Sequence, residues 1–113
     1  MRVVSVAQTK ATLLRAAELI ETGWTQHAGS CTLEGEAVDW YDERAQRFCL
    51  LSAIRRAVGG QDWDAKRHEE FHGLRVIVLK AIGVEGAASW NDDPKRTQAE
   101  VVDALRKAAE TCK

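Results

Sequence analysis

The stretch DERAQRFCLLSAIRRAV, residues 42–58, decides the predicted fold. Apolar residues lie nearly all round the middle of a helix built from it: Ala45, Phe48, Cys49, Leu50, Leu51, Ala53, Ile54, Ala57 and Val58. A helix that is apolar on every side is buried among other elements. We therefore predict a central buried helix over residues 42–58, ended by Gly59 and Gly60.

A first outer helix is predicted ahead of the central one. Its apolar residues recur at helical spacing: Leu13, Ala16, Ala17 and Ile20. Ser5 or Thr9 can cap its start. Gly23 suits the left-handed position just past a helix, which would fold Trp24 back onto Leu19. We therefore expect the helix to end at Gly23 and Trp24 to be structural.

Two more helices are predicted after the central one. Asp62 is the expected N-cap of the third helix, which runs toward Ile82. Gly73 could divide this helix, and residues 76–78 could instead form a strand. The last helix begins with a capping box of Thr97 and Glu100 and has one apolar face: Val101, Val102, Leu105, Ala108, Ala109 and Cys112. Such a face packs on the core or on another copy of the chain.

Residues 25–41 have two glycines and no sustained period, so they are predicted to form a long loop with room for a short hairpin. The predicted fold class is mainly α, a compact four-helix-type single domain over residues 1–113. A loop of this length is uncommon in a small domain unless it has a function.

Composition narrows the function classes. The chain has 113 residues, with 16 basic against 17 acidic side chains, so a nucleic-acid or anionic-membrane partner is not expected. No apolar run exceeds four residues, so we expect no membrane span and no signal peptide.

Three cysteines form no disulfide framework and no CxxC motif, which fits a cytoplasmic location. Cys49 lies in an apolar stretch and is predicted to be a small buried hydrophobe, whereas Cys31 follows a polar stretch and is the expected exposed thiol.

The string His68-Glu69-Glu70-Phe71-His72 matches the H-E-x-x-H pattern of zinc metalloproteases. Histidines four apart on a helix can share a zinc ion, with Glu69 as the general base. Against this interpretation stand the charge of Glu70, the cation of Arg75 on the same face, and the lack of a distinctive third ligand. A solvated helix edge explains the same string.

The string Trp90-Asn91-Asp92-Asp93-Pro94 is a second candidate. Asn and Asp commonly satisfy the backbone of turns, so it could simply place the last helix, with Trp90 packed beneath. That structural interpretation is the favoured one, and the functional alternative is a polar pocket in which Asn91 and Asp92 meet a ligand stacked on an indole.

The chain resembles a family of short uncharacterised proteins from actinobacteria and their phages. The similar features are LRAAELIE at residues 14–21 running into Gly23-Trp24 and Gln26, FCLLSAI at residues 48–54, and Trp90-Asn91-Asp92 before a Thr-started helix. The resemblance implies a compact α-helical fold and no particular reaction. Carried over by position, Trp24, Gln26, Asn91 and Asp92 are the first residues to examine, either as ligand contacts or as supports of the fold.

These observations favour a non-catalytic helical binding module of unknown biological role, such as a phage or host accessory protein, with no cofactor. We expect it to bind a protein partner or a small ligand at a surface formed by Trp24, Gln26, Trp90, Asn91 and Asp92, and a homodimer is left open. The alternative is a small zinc-dependent metallohydrolase with His68 and His72 as metal ligands.

Overall fold

A computed structural model describes residues 5–59 and 63–112. Over these residues the chain forms five helices and three two-residue strands: α1 (Val6–Thr22), β1 (Ser30–Cys31), β2 (Ala37–Val38), β3 (Arg47–Phe48), α2 (Leu50–Val58), α3 (Ala65–Ile82), α4 (Ala87–Asn91) and α5 (Gln98–Thr111). The mainly α fold is confirmed, while the prediction of four helices misses α4.

The helices α1 and α5 form the largest contact, while α2 packs against α1, α3 packs against α5, and α2 and α3 pack against each other. The predicted apolar faces of α1 and α5 point into this core, where Leu13, Ile20, Val101 and Leu105 have no exposed surface. Among the described helices, α5 has the most buried residues. Its apolar face is therefore covered within the chain.

The helix predicted over residues 42–58 is wrong in its first half, because the helix begins only at Leu50. The preceding residues form β3, whose backbone pairs with β1, and the amide of Cys49 donates to the carbonyl oxygen of Gly29 at 2.8 Å. Helix α2 is also not buried all round. Leu50, Ala53 and Ile54 are buried, whereas Leu51, Ala57 and Val58 are only half-buried.

The three strands form an antiparallel sheet in the order β2-β1-β3, so the loop does hold the short hairpin. The sheet reverses the expectations for two cysteines. Cys31 lies in the central strand and is buried, not exposed. Cys49 is half-buried and acts as the N-cap of α2, because its Sγ accepts a hydrogen bond from the amide of Ser52 at 3.4 Å.

Gly23 ends α1, but not in the left-handed conformation expected of it. Its φ of −173° is extended, so the predicted left-handed helix stop is wrong. A side chain at Gly23 would overlap the carbonyl oxygen of Gln46, and the Gly23 carbonyl accepts from the amide of Phe48 at 3.0 Å. Glycine is needed here because the strand β3 passes against the end of α1.

The remaining helix boundaries largely follow the sequence. Ser5 caps α1 and Thr97 caps α5, each with a capping box. Residues 76–78 are helical and Gly73 does not divide α3. The predicted N-cap Asp62 lies outside the described residues, and Asp64 caps α3 instead. None of the helices in the described ranges is long and apolar enough to cross a membrane.

Candidate functional site

Asn91 is the polar centre of the junction between α1, α2 and α4. Its side chain is 1% exposed, and its Oδ1 accepts hydrogen bonds from Trp24 Nε1 at 2.9 Å and from the Leu50 amide at 3.1 Å. Its Nδ2 donates to the Thr25 carbonyl at 3.1 Å and to Asp92 Oδ1 at 3.0 Å. A buried amide is stable only when it is paired in this way. Asn91 therefore holds three chain segments in one arrangement.

Gln26 and Asp92 strengthen the same junction from its two sides. Gln26 Nε2 donates to the carbonyl oxygens of Asn91, at 3.0 Å, and Asp93, at 2.8 Å. Asp92 Oδ1 accepts from the backbone amide of His27 at 2.9 Å. Four of the five residues predicted as a site, Trp24, Gln26, Asn91 and Asp92, are thus brought together by direct hydrogen bonds.

Trp90, the fifth predicted residue, faces Arg96. The Arg96 guanidinium lies 4.0 Å from the centre of the Trp90 ring, and Arg96 Nε donates to the Trp90 carbonyl at 2.9 Å. A cation over an indole face is attracted by the ring quadrupole. The Trp90 indole is therefore in contact with Arg96, which lies just before α5.

The Asp92 carboxylate is stabilised in its ionised form. Burial alone would raise the pKa of Asp92, but hydrogen bonds from the His27 amide and the Asn91 side chain, together with the His27 imidazole, lower it below its ordinary value. The imidazole Nδ1 of His27 lies 3.9 Å from Asp92 Oδ2. The junction therefore carries a fixed negative charge at neutral pH.

A cleft of about 280 Å³ opens beside this carboxylate. Three segments line it: residues 27–29, the start of α2 with Cys49 and Leu51, and the α4 segment with Ala87, Ala88, Asn91 and Asp92. Its walls combine small apolar side chains with a carboxylate, a thiol and an imidazole. Trp90 does not line the cleft.

Several residues of the cleft were not predicted from sequence. His27 has a left-handed φ of 63°, which is uncommon for a residue other than glycine. It is held there by the bond from its amide to Asp92, a contact across 65 positions that no local pattern signals. Cys49 lines the cleft because α2 begins at Leu50 rather than at residue 42. Ala88 lines it because residues 87–91 form α4, which the sequence did not predict.

His68 and His72 lie outside this cleft, because they belong to α3 and no residue of α3 lines it. Both are exposed, and their Nε2 atoms are 3.1 Å apart. Within residues 5–59 and 63–112, no group of three or more His, Cys, Asp or Glu side chains could hold a metal ion. The two imidazoles therefore lie side by side, without a third ligand among the described side chains.

The profile of a protein family of unknown function, DUF6197, matches residues 4–111. The chain belongs to DUF6197. The match takes in both the cleft and the histidine pair, and the family description assigns no reaction to either. Searches of curated proteins and of solved structures found no match to this DUF6197 chain.

Proposed function

We propose that this DUF6197 protein is a non-catalytic binding module and that the cleft beside Asp92 is its binding site. The proposal rests on one observation: Asn91 and Asp92 line the cleft and also hold its other two walls, Asn91 through the Leu50 amide at the start of α2 and Asp92 through the His27 amide. Such a junction fixes the cleft before anything binds, so little ordering entropy opposes binding.

The lining suggests the chemistry of the ligand. Ala28, Leu51, Ala87 and Ala88 offer apolar surface, while the ionised carboxylate of Asp92 lies at the wall. A ligand with a short apolar body and a cationic or hydrogen-bond-donating head would pair with both. Such a head could belong to a small amine or to a side chain of a protein partner.

Two probes of equal length test this chemistry: n-butylamine and n-butanol, titrated into the protein and followed by amide chemical shifts in NMR. We expect n-butylamine to shift the amides of Gly29, Leu51 and Ala88, and n-butanol to bind more weakly. The variant Ala88→Trp fills the cleft from an exposed position and should abolish the shifts. Ala99→Trp, an exposed alanine on α5, is the matched control.

Two results would contradict the proposal. One is the absence of shifts at the cleft with n-butylamine. The other is equal binding of n-butylamine by wild type and by Ala88→Trp.

The alternative function, a small zinc-dependent metallohydrolase, is supported by the approach of the His68 and His72 imidazoles. It lacks a third protein ligand among the described residues, which catalytic zinc sites ordinarily have. Elemental analysis of protein purified without chelator, combined with an assay of peptide hydrolysis, separates the two proposals. Stoichiometric zinc that is lost in His72→Ala, together with hydrolysis that Glu69→Gln abolishes, would favour the hydrolase, whereas zinc without hydrolysis would not.

We further propose a cytoplasmic, phage or host accessory role, supported by the resemblance described above and by the three free thiols. A homodimer would require a surface other than the apolar face of α5, because that face packs within the chain.

A further inference from the structure

We infer that His68 and His72 form a surface site for one divalent late transition-metal ion, with copper(II) bound most tightly. The site is separate from the cleft and needs no catalytic role. Its ligands are the two imidazole Nε2 atoms, and the remaining coordination positions stay open to water.

Helix geometry brings the two rings together. His68 and His72 are four residues apart on α3, and side chains at this spacing lie on one face of a helix. Their Nε2 atoms are 3.1 Å apart and their ring planes are inclined by 86°. The two nitrogens are thus hydrogen-bonded to each other on an exposed face of α3.

The separation of the nitrogens matches what a metal ion requires. Two metal–nitrogen bonds of about 2.0 to 2.1 Å, meeting at an octahedral or tetrahedral angle, place the nitrogens about 2.9 to 3.4 Å apart. The observed 3.1 Å lies inside that interval, so an ion can replace the hydrogen bond between the rings once its proton is released and both lone pairs turn toward the ion.

Aromatic neighbours restrict both imidazoles. The His68 ring meets Trp63 edge-on with centroids 6.3 Å apart, and the His72 ring lies 5.6 Å from that of Phe71. Phe71 is itself buried in the core. Rings supported in this way lose less freedom when they bind an ion than two unsupported histidines would.

The local charge selects the class of metal. Two carboxylates, Glu69 and Glu70, lie between the histidines, and three cations flank them in the sequence: Lys66, Arg67 and Arg75. These charges nearly balance, so binding depends on nitrogen–metal bonds rather than on a general attraction for cations. Imidazole favours copper, nickel and zinc over magnesium and calcium, and copper(II) leads the order of affinity.

Titration calorimetry of the untagged, metal-free chain with copper(II), nickel(II) and magnesium(II) chlorides tests the site. We expect one copper(II) per chain, weaker nickel(II) and no magnesium(II). Because even an outer-shell substitution commonly lowers metal affinity tenfold or more, loss of a ligand in His72→Ala should weaken copper(II) at least about tenfold. His72→Gln should do the same and keeps a polar side chain at the site.

The third histidine of the chain supplies the matched control, since His27 is also exposed but lies at the cleft. His27→Ala should leave copper(II) affinity unchanged, and electron paramagnetic resonance of the wild-type complex should show two coordinated nitrogens. Unchanged affinity in both His72 variants, or no copper(II) binding by the wild type, would overturn the inference.

Discussion

The indole Nε1 of Trp24 donates a hydrogen bond to Oδ1 of Asn91, 2.9 Å away, across 67 positions of the chain. The same oxygen accepts from the amide of Leu50 at the start of α2. One buried side chain thereby fixes the end of α1 relative to α2 and α4. Asn91 also lines the adjacent cleft.

Asn91→Ala should destabilise the protein by about 3 kcal/mol or more, because it leaves the buried Leu50 amide and its neighbours without partners. Urea denaturation measures the change. Ser89→Ala, an exposed substitution in the same short helix, should stay within about 0.5 kcal/mol of wild type. Equal midpoints for the two variants would show that Asn91 does not hold the junction.

Two glycines should respond in opposite directions to alanine. Gly23→Ala places a Cβ on the Gln46 carbonyl, with Arg47 Cα at 3.1 Å, and should cost about 3 kcal/mol or more. Gly73→Ala meets nothing within 4 Å and lies inside α3, so it should stabilise by about 0.5 to 1 kcal/mol. Thermal unfolding of both variants checks the pair, and a stable Gly23→Ala would mean that β3 does not pass against α1.

Leu50 and Leu51 are neighbours in α2 with different environments. Leu50 is 1% exposed, so Leu50→Ala should cost roughly 2 to 5 kcal/mol through the cavity it leaves. The buried central helix predicted from the sequence would have given Leu51→Ala a similar cost. Leu51 is half-buried and lines the cleft, so Leu51→Ala should cost only about 1 kcal/mol. A larger loss for Leu51 would contradict the observed orientation of α2.

The lowered pKa of Asp92 makes part of the stability depend on pH. The unfolded chain takes up the proton at higher pH than the folded one, so the ionised carboxylate stabilises at neutral pH and this contribution disappears as the pH falls through the folded pKa. The difference in unfolding free energy between wild type and Asp92→Asn should therefore begin to shrink near the ordinary carboxyl value of 3.8 and go on shrinking as the pH falls through the lower folded pKa. Asp103→Asn, on the exposed side of α5, corrects for the general loss of a carboxylate. A difference that grows on acidification would have the wrong sign.

Much of the helical framework follows from the sequence, and the reasons are local. Residues three or four apart in the sequence form the capping boxes of Ser5 and Thr97 and the apolar faces of α1 and α5. The error at residues 42–49 has a non-local cause. Phe48 pairs with Ser30 in the sheet, and apolar content alone does not distinguish a buried strand from a buried helix.

The candidate site was predictable in part for the same reason. Gln26, Asn91 and Asp92 stand out because polar side chains of these types satisfy backbone groups at turns. Their mutual bonds, the left-handed His27 and the wall made by Ala87 and Ala88 depend on contacts between distant segments. Those features emerge only in the folded chain.

Native mass spectrometry of the protein purified from its own host tests the proposed binding site most directly. Wild type and Ala99→Trp should retain the same bound molecule or partner, and Ala88→Trp, whose indole fills the cleft beside Asp92, should lose it. Retention of that molecule by Ala88→Trp at the wild-type level would contradict the assignment of the cleft.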